Sequence, residues 1–531
     1  MSNLEATGGV PGPGRIGRVA VGDLLKRAAR RFPDRIALTE GARRVTYTEL
    51  ERDANRFANY LVARGLKPGD KISTICNNSV EFVKALFGIH RAGLVWVPIN
   101  TMLGPDDMSY ILDHAGVRFA LIDDNLHAQP DRRAALEQRG IALIAVDLAG
   151  KAKEQGLDEF NALLEGHSDI EPEIAFDDRD LAMIIYTSGT TSRPKGAMHC
   201  HLAVVMAAMS NAIEMHLDRN DGITGQFPLF HCAAHVLLLT YLAVGGKMAL
   251  MRGFDPVACM EAIQRDELSI FIGLPLMYQA ILDHPRRKEF DLSTLRTCIY
   301  TMAPMPRPLL ERCVAELCPN FVQPSGQTEM YPATTMSQPD RQLKRFGNYW
   351  GESMIVNETA IMDDDGNLLP RNQIGEIVHR GPNVMLGYYK DPKATEDARR
   401  FGWHHTGDLG LIDDYGEVLF LDRKKDMIKS GGENVASVKI EETLMAHPAV
   451  LAAAVVGLPH PQWGEAVSAF IKLKPGAQAD EAAITEHCRK HLGGFQVPKF
   501  IKLLDEMPMT ATGKLRKVEL RQQYTDHFVQ G

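Results

Sequence analysis

The sequence predicts an α/β protein: a large N-terminal domain of mainly parallel sheets covered by helices, with a β-rich subdomain, followed by a small α+β C-terminal domain. Helical patterns at 21–31 and 48–65 alternate with short β-rich runs at 71–75, 94–99 and 119–122. Strands separated by helices pair in parallel, because a parallel connection needs a long crossover. From about Asn357 the texture changes to short strands with Asp/Gly turns, such as Asp363-Asp364-Asp365-Gly366 and Asp413-Asp414-Tyr415-Gly416. A length of 531 residues also exceeds what one hydrophobic core serves. After Arg423 comes a compact mixture, with helices expected at 438–446 and 481–492 and strands at 450–457 and 466–473. The domains are therefore expected at 1–422 and 423–531, with the boundary between Asp422 and Asp426.

Composition narrows the class. Apolar residues at 45% and charged residues at 24% are ordinary for a globular chain, and a net charge of −8 gives no reason to expect nucleic acid or an anionic membrane as partner. Eight cysteines are scattered without CxxC pairs, which reads as reduced thiols in a cytosolic compartment rather than structural zinc. Residues 1–14 are rich in Gly and Pro without an apolar leader core, and no run of 18 apolar residues occurs. A cytoplasmic protein without a transmembrane segment is expected, and a homodimer is compatible with that reading.

The segment from Tyr186 to Gly196 reads Thr187-Ser188-Gly189-Thr190-Thr191-Ser192 and then Arg193-Pro194-Lys195. It follows a strand-like run at 181–185 and precedes a helical pattern at 198–215. Small residues let backbone N–H groups approach phosphate oxygens, the hydroxyls add donors, and Lys195 supplies a compact charge. It differs from the nucleotide-hydrolase P-loop, whose Lys directly follows Gly and precedes Ser or Thr. A solvent loop of turn formers is the competing reading of such a run taken alone.

These residues resemble the signature loop of the adenylate-forming superfamily, which comprises acyl-CoA synthetases, the adenylation domains of nonribosomal peptide synthetases, and firefly luciferase. The resemblance implies two mainly parallel sheets in the large domain and a mobile small domain. It implies that Thr187, Ser188, Gly189, Thr190, Thr191 and Lys195 grip ATP, with Thr187 also catalytic. Ser192 stands where the family has a third Gly. Further motifs follow in the family's order. Met302, Ala303 and Pro304, with Ser325, Gly326, Gln327 and Thr328, resemble the nucleotide-binding segments, although Ser325 replaces an aromatic residue. Glu329 would hold Mg²⁺, and His231, Met302 and Gly326 would border the acyl pocket. Asp408, in Thr406-Gly407-Asp408, would bind the ribose with Arg423. Lys425 would be the hinge, and Ser430, Gly431 and Gly432 would form the CoA channel. Ala436-Ser437 replaces an aromatic-Pro or His-Pro pair. Lys514, in Thr512-Gly513-Lys514, would reach into the site as the catalytic cation.

The expected chemistry is activation of a carboxylic acid with ATP and Mg²⁺ to acyl-AMP, then transfer to CoA with release of AMP. The pocket segments carry Met, Leu, Phe and Ala but no Arg or Lys, which favours a medium- or long-chain fatty acid. Alternatives are an aryl or steroid side-chain acid, a carrier-protein acceptor, and a non-catalytic nucleotide binder, which should lack Lys514, Glu329 or Asp408.

Overall fold

The computed structural model describes residues 17–187, 193–301, 305–344, 347–509 and 515–528. Among them, three sheets of eight, thirteen and five strands carry the fold. In the first, Lys71–Ile75 lies between Val95–Pro98 and Phe119–Asp123, all parallel. Leu181–Thr187 continues it in parallel beyond Val95–Pro98. Lys195–Cys200 and Gly387–Tyr388 then close that edge antiparallel. The second sheet runs parallel from Ile36–Glu40 to Phe321–Ser325. It continues antiparallel through Thr335–Ser337, Tyr349–Ser353, Val418–Arg423 and His404–Ile412. The β-rich region expected after Asn357 is thus an extension of this sheet.

Helices between the two sheets form the main core. Val80–Arg91 is buried at every residue, and with Val21–Arg31 and Cys232–Val244 it shares one apolar cluster with Ile72 and Trp96 of the first sheet and Ile223 and Ile270 of the second. The helix Tyr47–Ala63 begins with a capping box, in which the Thr46 side chain accepts from Glu49 N and the Glu49 carboxylate accepts from Thr46 N. Such a cap contributes about 1 kcal/mol. The helix expected over 198–215 starts only at His201, as His201–Glu214. Residues 195–200 are drawn into the sheet, and an added Cβ at Gly196 would lie 2.6 Å from Ile184 Cγ2, so only glycine fits this close pairing.

The five-stranded sheet of the small domain is built on the long antiparallel pair Val450–His460 and Gly464–Leu473. The helices Ser437–Met445 and Glu481–His491 cover it through Ile440, Leu444, Ile484 and Cys488. Ser437–Met445 has no side-chain cap of its own. Instead Ser437 N–H donates to Asp422 Oδ2 at 2.5 Å, across the boundary between large and small domains. A Pro at position 437 could not make this bond. Lys517 completes the junction, donating to Ser437 Oγ at 2.8 Å and pairing with Glu441 at 2.8 Å.

Candidate active site

A cleft of about 2000 Å³ lies where the ends of the two large sheets meet the small domain. It is lined by Thr187, Lys195, His231, Ser325 to Glu329, Asp408, Arg423 and Lys425. Residues far apart in sequence thus share one space. Met302, Ala303 and Pro304, Ser188 to Ser192 and Lys514 lie outside the described residues. Their neighbours Thr301, Met305, Met509 and Leu515 line the same cleft. Ser430, Gly431 and Gly432 do not line it. They belong to the hairpin joining Ile428–Ser430 to Glu433–Val435, in which Ser430 pairs with Glu433. Gly431 and Gly432 have φ of 62° and 88°, the two positive values that a two-residue type I′ turn requires.

Thr187 and Lys195 are paired at the mouth of the hairpin that carries the Gly/Ser/Thr run, with Thr187 Oγ donating to Lys195 O at 3.4 Å. Lys195 Nζ stands 5.2 Å from the centre of the Tyr388 ring. Opposite, the strand Phe321–Ser325 ends in a turn that carries Glu329. This turn is held from several directions. His199 Nε2 donates to Thr328 O at 2.8 Å, Asn383 Nδ2 to Met330 O at 2.7 Å, and Met385 N to Glu329 O at 2.8 Å. Tyr331 OH and His235 Nδ1 share a bond of 2.6 Å below it. The Glu329 carboxylate accepts from Tyr388 OH at 2.9 Å.

Asp408 is oriented by Gln327, whose Nε2 donates to Asp408 Oδ2 at 2.8 Å and to Thr406 O at 2.9 Å. Arg423 lies across the ladder from Asp408, with Nε 3.6 Å from Oδ1. The buried Asp408 carboxylate thus lines the cleft next to an exposed guanidinium. His231 caps the helix Cys232–Val244, its side chain accepting from Ala233 N. It borders an apolar part of the cleft formed by Phe230, Val236, Leu237, Ile272 and Leu274, with Asn211 and Gln323 as polar members.

Burial keeps the histidines near the Glu329 turn neutral: it lowers the pKa of His199 and His404 to about 4 and that of His379 to about 3, while His235 falls well below the usual value. On the opposite wall, burial and then the neighbouring Glu441 push Glu442 up to about 7. Among the described residues no three His, Cys, Asp or Glu side chains are grouped to hold a metal. The Glu329 carboxylate, in the same cleft as Thr187 and Lys195, is of the donor type that suits Mg²⁺, which takes one or two carboxylates and completes its shell with substrate phosphates and water. Tyr388 and the Lys517–Glu441 pair carry no motif signal of their own, and Gln327, expected at the nucleotide from its motif, here orients Asp408. Their positions follow from tertiary pairing. Among the described residues no helix is long and apolar enough to cross a membrane.

A family model described as AMP-binding enzyme matches residues 25–389, and one for the AMP-binding enzyme C-terminal domain matches residues 439–514. The chain is 34% identical over 499 residues to a feruloyl-CoA synthase from an Amycolatopsis species, covering 94% of this chain and 98% of that protein. It is also 34% identical over 505 residues to a methyl-dioxo-octahydroindenyl-propanoyl:CoA ligase from Mycobacterium tuberculosis, covering 94% and 97%. The solved structure of ATP-bound MatB from Rhodopseudomonas palustris superposes with a TM-score of 0.85 at 28% identity, covering 96% of this chain and 99% of that one.

Proposed function

The chain belongs to the AMP-binding enzyme family, and on that premise we propose that it activates an apolar monocarboxylic acid in the cleft between its large and small domains. It is an AMP-forming acid–CoA ligase that uses ATP, Mg²⁺ and CoA. The observation that carries the site is the convergence of Lys195, Glu329, Asp408 and Arg423 on one cleft beside an apolar pocket.

In the first half-reaction a carboxylate oxygen attacks the α-phosphorus of ATP. The P–O bond to the β-phosphate breaks, and acyl-AMP and pyrophosphate form. Both reactants are anions, so the site must supply positive charge where negative charge accumulates. We assign Thr187, Lys195 and the intervening loop to the phosphates, Asp408 and Arg423 to the ribose, and Lys514 to the charge on the departing group. Mg²⁺, when bound at Glu329, neutralises phosphate charge. No protein nucleophile is needed, and positioning carries much of the rate. In the second half the CoA thiol attacks the acyl carbonyl, gives up its proton and expels AMP. We assign the Ser430-Gly431-Gly432 hairpin to that step and Lys425 to the pivot that brings it in. The domain limits 1–422 and 423–531 belong to the same proposal.

The apolar lining supports a medium- or long-chain fatty acid. The feruloyl and octahydroindenyl relatives support a ring-bearing acid equally. The test is AMP and pyrophosphate release across a panel of fatty, aryl and polycyclic acids with CoA present. Turnover of one apolar class is expected. Release of ADP and phosphate would rule out the adenylate route.

A further inference from the structure

Tyr388 touches both sides of the phosphate site. Its hydroxyl donates to Glu329 Oε1 at 2.9 Å, and its ring face lies 5.2 Å from Lys195 Nζ. A cation over a tyrosine face is attracted by the ring quadrupole, and a carboxylate with one oxygen fixed presents the other in a defined direction.

The backbone around Tyr388 is fixed by bonds to both groups' own segments. Leu386 N donates to Met198 O at 2.7 Å and Tyr389 N to Gly196 O at 2.8 Å, which ties the segment to the strand that begins at Lys195. Met385 N donates to Glu329 O, which ties it to the turn that carries the carboxylate. Tyr388 N donates to Thr395 Oγ at 2.9 Å, and Gly387 has φ of 132°, with Thr395 2.7 Å from an added Cβ. Glycine is therefore required one residue before the tyrosine.

We propose that Tyr388 is a positioning residue that sets Lys195 and the Glu329 carboxylate relative to each other, so that the phosphate-binding cation and the metal-binding carboxylate engage the same nucleotide. The proposal rests on the assignment of Mg²⁺ to Glu329. Tyr388→Phe keeps the ring and removes the hydroxyl, whereas Tyr388→Leu removes both.

The test is a titration of Mn²⁺, as a spectroscopic substitute for Mg²⁺, into the full-length enzyme with α,β-methylene-ATP, followed by electron paramagnetic resonance. Thermal unfolding of each variant serves as the folding control. Loss of one charge-assisted hydrogen bond should raise the Mn²⁺ dissociation constant on the order of tenfold in Tyr388→Phe at unchanged Tm. The same substitution should add nothing in a Glu329→Gln background. Tyr388→Leu should also weaken binding of the nucleotide analogue itself. If Glu329→Gln weakens Mn²⁺ binding and Tyr388→Phe does not, the role of Tyr388 is overturned and the Glu329 assignment stands. If Glu329→Gln leaves Mn²⁺ binding unchanged, the metal assignment falls and the proposal falls with it. Equal analogue affinity in the Phe and Leu variants overturns the link to Lys195.

Discussion

The two walls of the cleft are held by different physics. On the large-domain wall, the Glu329 turn is pinned by neutral buried groups, among them His199, His235, Tyr331 and Asn383, through short hydrogen bonds of fixed geometry. On the small-domain wall, the junction is ionic. Lys517 is half-buried yet keeps a raised pKa because Glu441 and Asp422 outweigh the cost of desolvation, and Asp422 also accepts from Ser437 N. Neutral networks inside a core have one satisfied arrangement and set a site rigidly. Charged groups at a domain junction can exchange partners or water, which would suit the proposed rotation. Glu329 thus belongs to the fixed wall, and the proposed pivot at Lys425 adjoins the adjustable one.

The most damaging change should be Lys517→Met, which leaves the half-buried Glu441 without its cation. Breaking such a half-buried pair should cost about 2–3 kcal/mol, between the exposed and fully buried cases, read as an early unfolding transition of the small domain in urea. Adding Glu441→Leu should recover most of the loss. A single-variant effect within about 0.5 kcal/mol, as at an ordinary surface site, would break the ionic account of this wall. On the fixed wall, Tyr331→Phe strips a buried partner from His235 Nδ1 and should cost about 1–3 kcal/mol, with the main transition shifted instead.

The two walls should also answer pH with opposite sign. His199 and His404 have folded pKa values of about 4, below the usual 6.5, so the unfolded chain binds more protons between these limits. Their contribution is complete above pH 6.5 and falls by up to about 1.4 kcal/mol per pH unit for each group as pH drops towards 4. Glu442, raised to about 7 by burial and Glu441, binds a proton more readily in the folded state, so its contribution falls as pH rises from about 4.5 to 7. Hydrogen exchange at pH 5 and 7.5 should show the large domain loosening in acid around His199 and His404, and the helix Ser437–Met445 tightening. A common direction for both would remove the distinction. The smallest effect expected is from Gly432→Ala. A side chain at φ of 88° in the hairpin turn costs on the order of 1 kcal/mol, confined to the small domain's unfolding transition.

Much of this architecture is legible in the chain. The helix Val21–Arg31 and the strand Lys71–Ile75 fall where the pattern of apolar residues places them. The helix expected from residue 198 fails at its start because Met198, His199 and Cys200 are apolar enough for either structure, and the pairing partner at Gly387–Tyr388 is remote in sequence. Motif order brings Lys195, Glu329, Asp408 and Arg423 to attention but says nothing of what orients them. Gln327 is one polar residue in a turn, and Tyr388 is one aromatic on a two-residue edge strand, so neither has a periodicity to detect. Ala436-Ser437 acquires a meaning only from Asp422, which caps that helix from the neighbouring domain.

In the proposed mechanism Lys514 and the Gly431-Gly432 hairpin serve the two half-reactions in turn, with Lys425 as pivot. Single-turnover kinetics of each half, with ATP plus acid in one assay and synthetic acyl-AMP plus CoA in the other, test it directly in Lys514→Ala and Lys425→Pro. Lys514→Ala should slow adenylate formation by about 10² to 10³, the usual loss for one group that stabilises transition-state charge, and spare thioester formation. Lys425→Pro fixes φ at the pivot and should do the reverse. If either variant stays folded and slows both halves equally, the two regions do not take turns, and the account is contradicted.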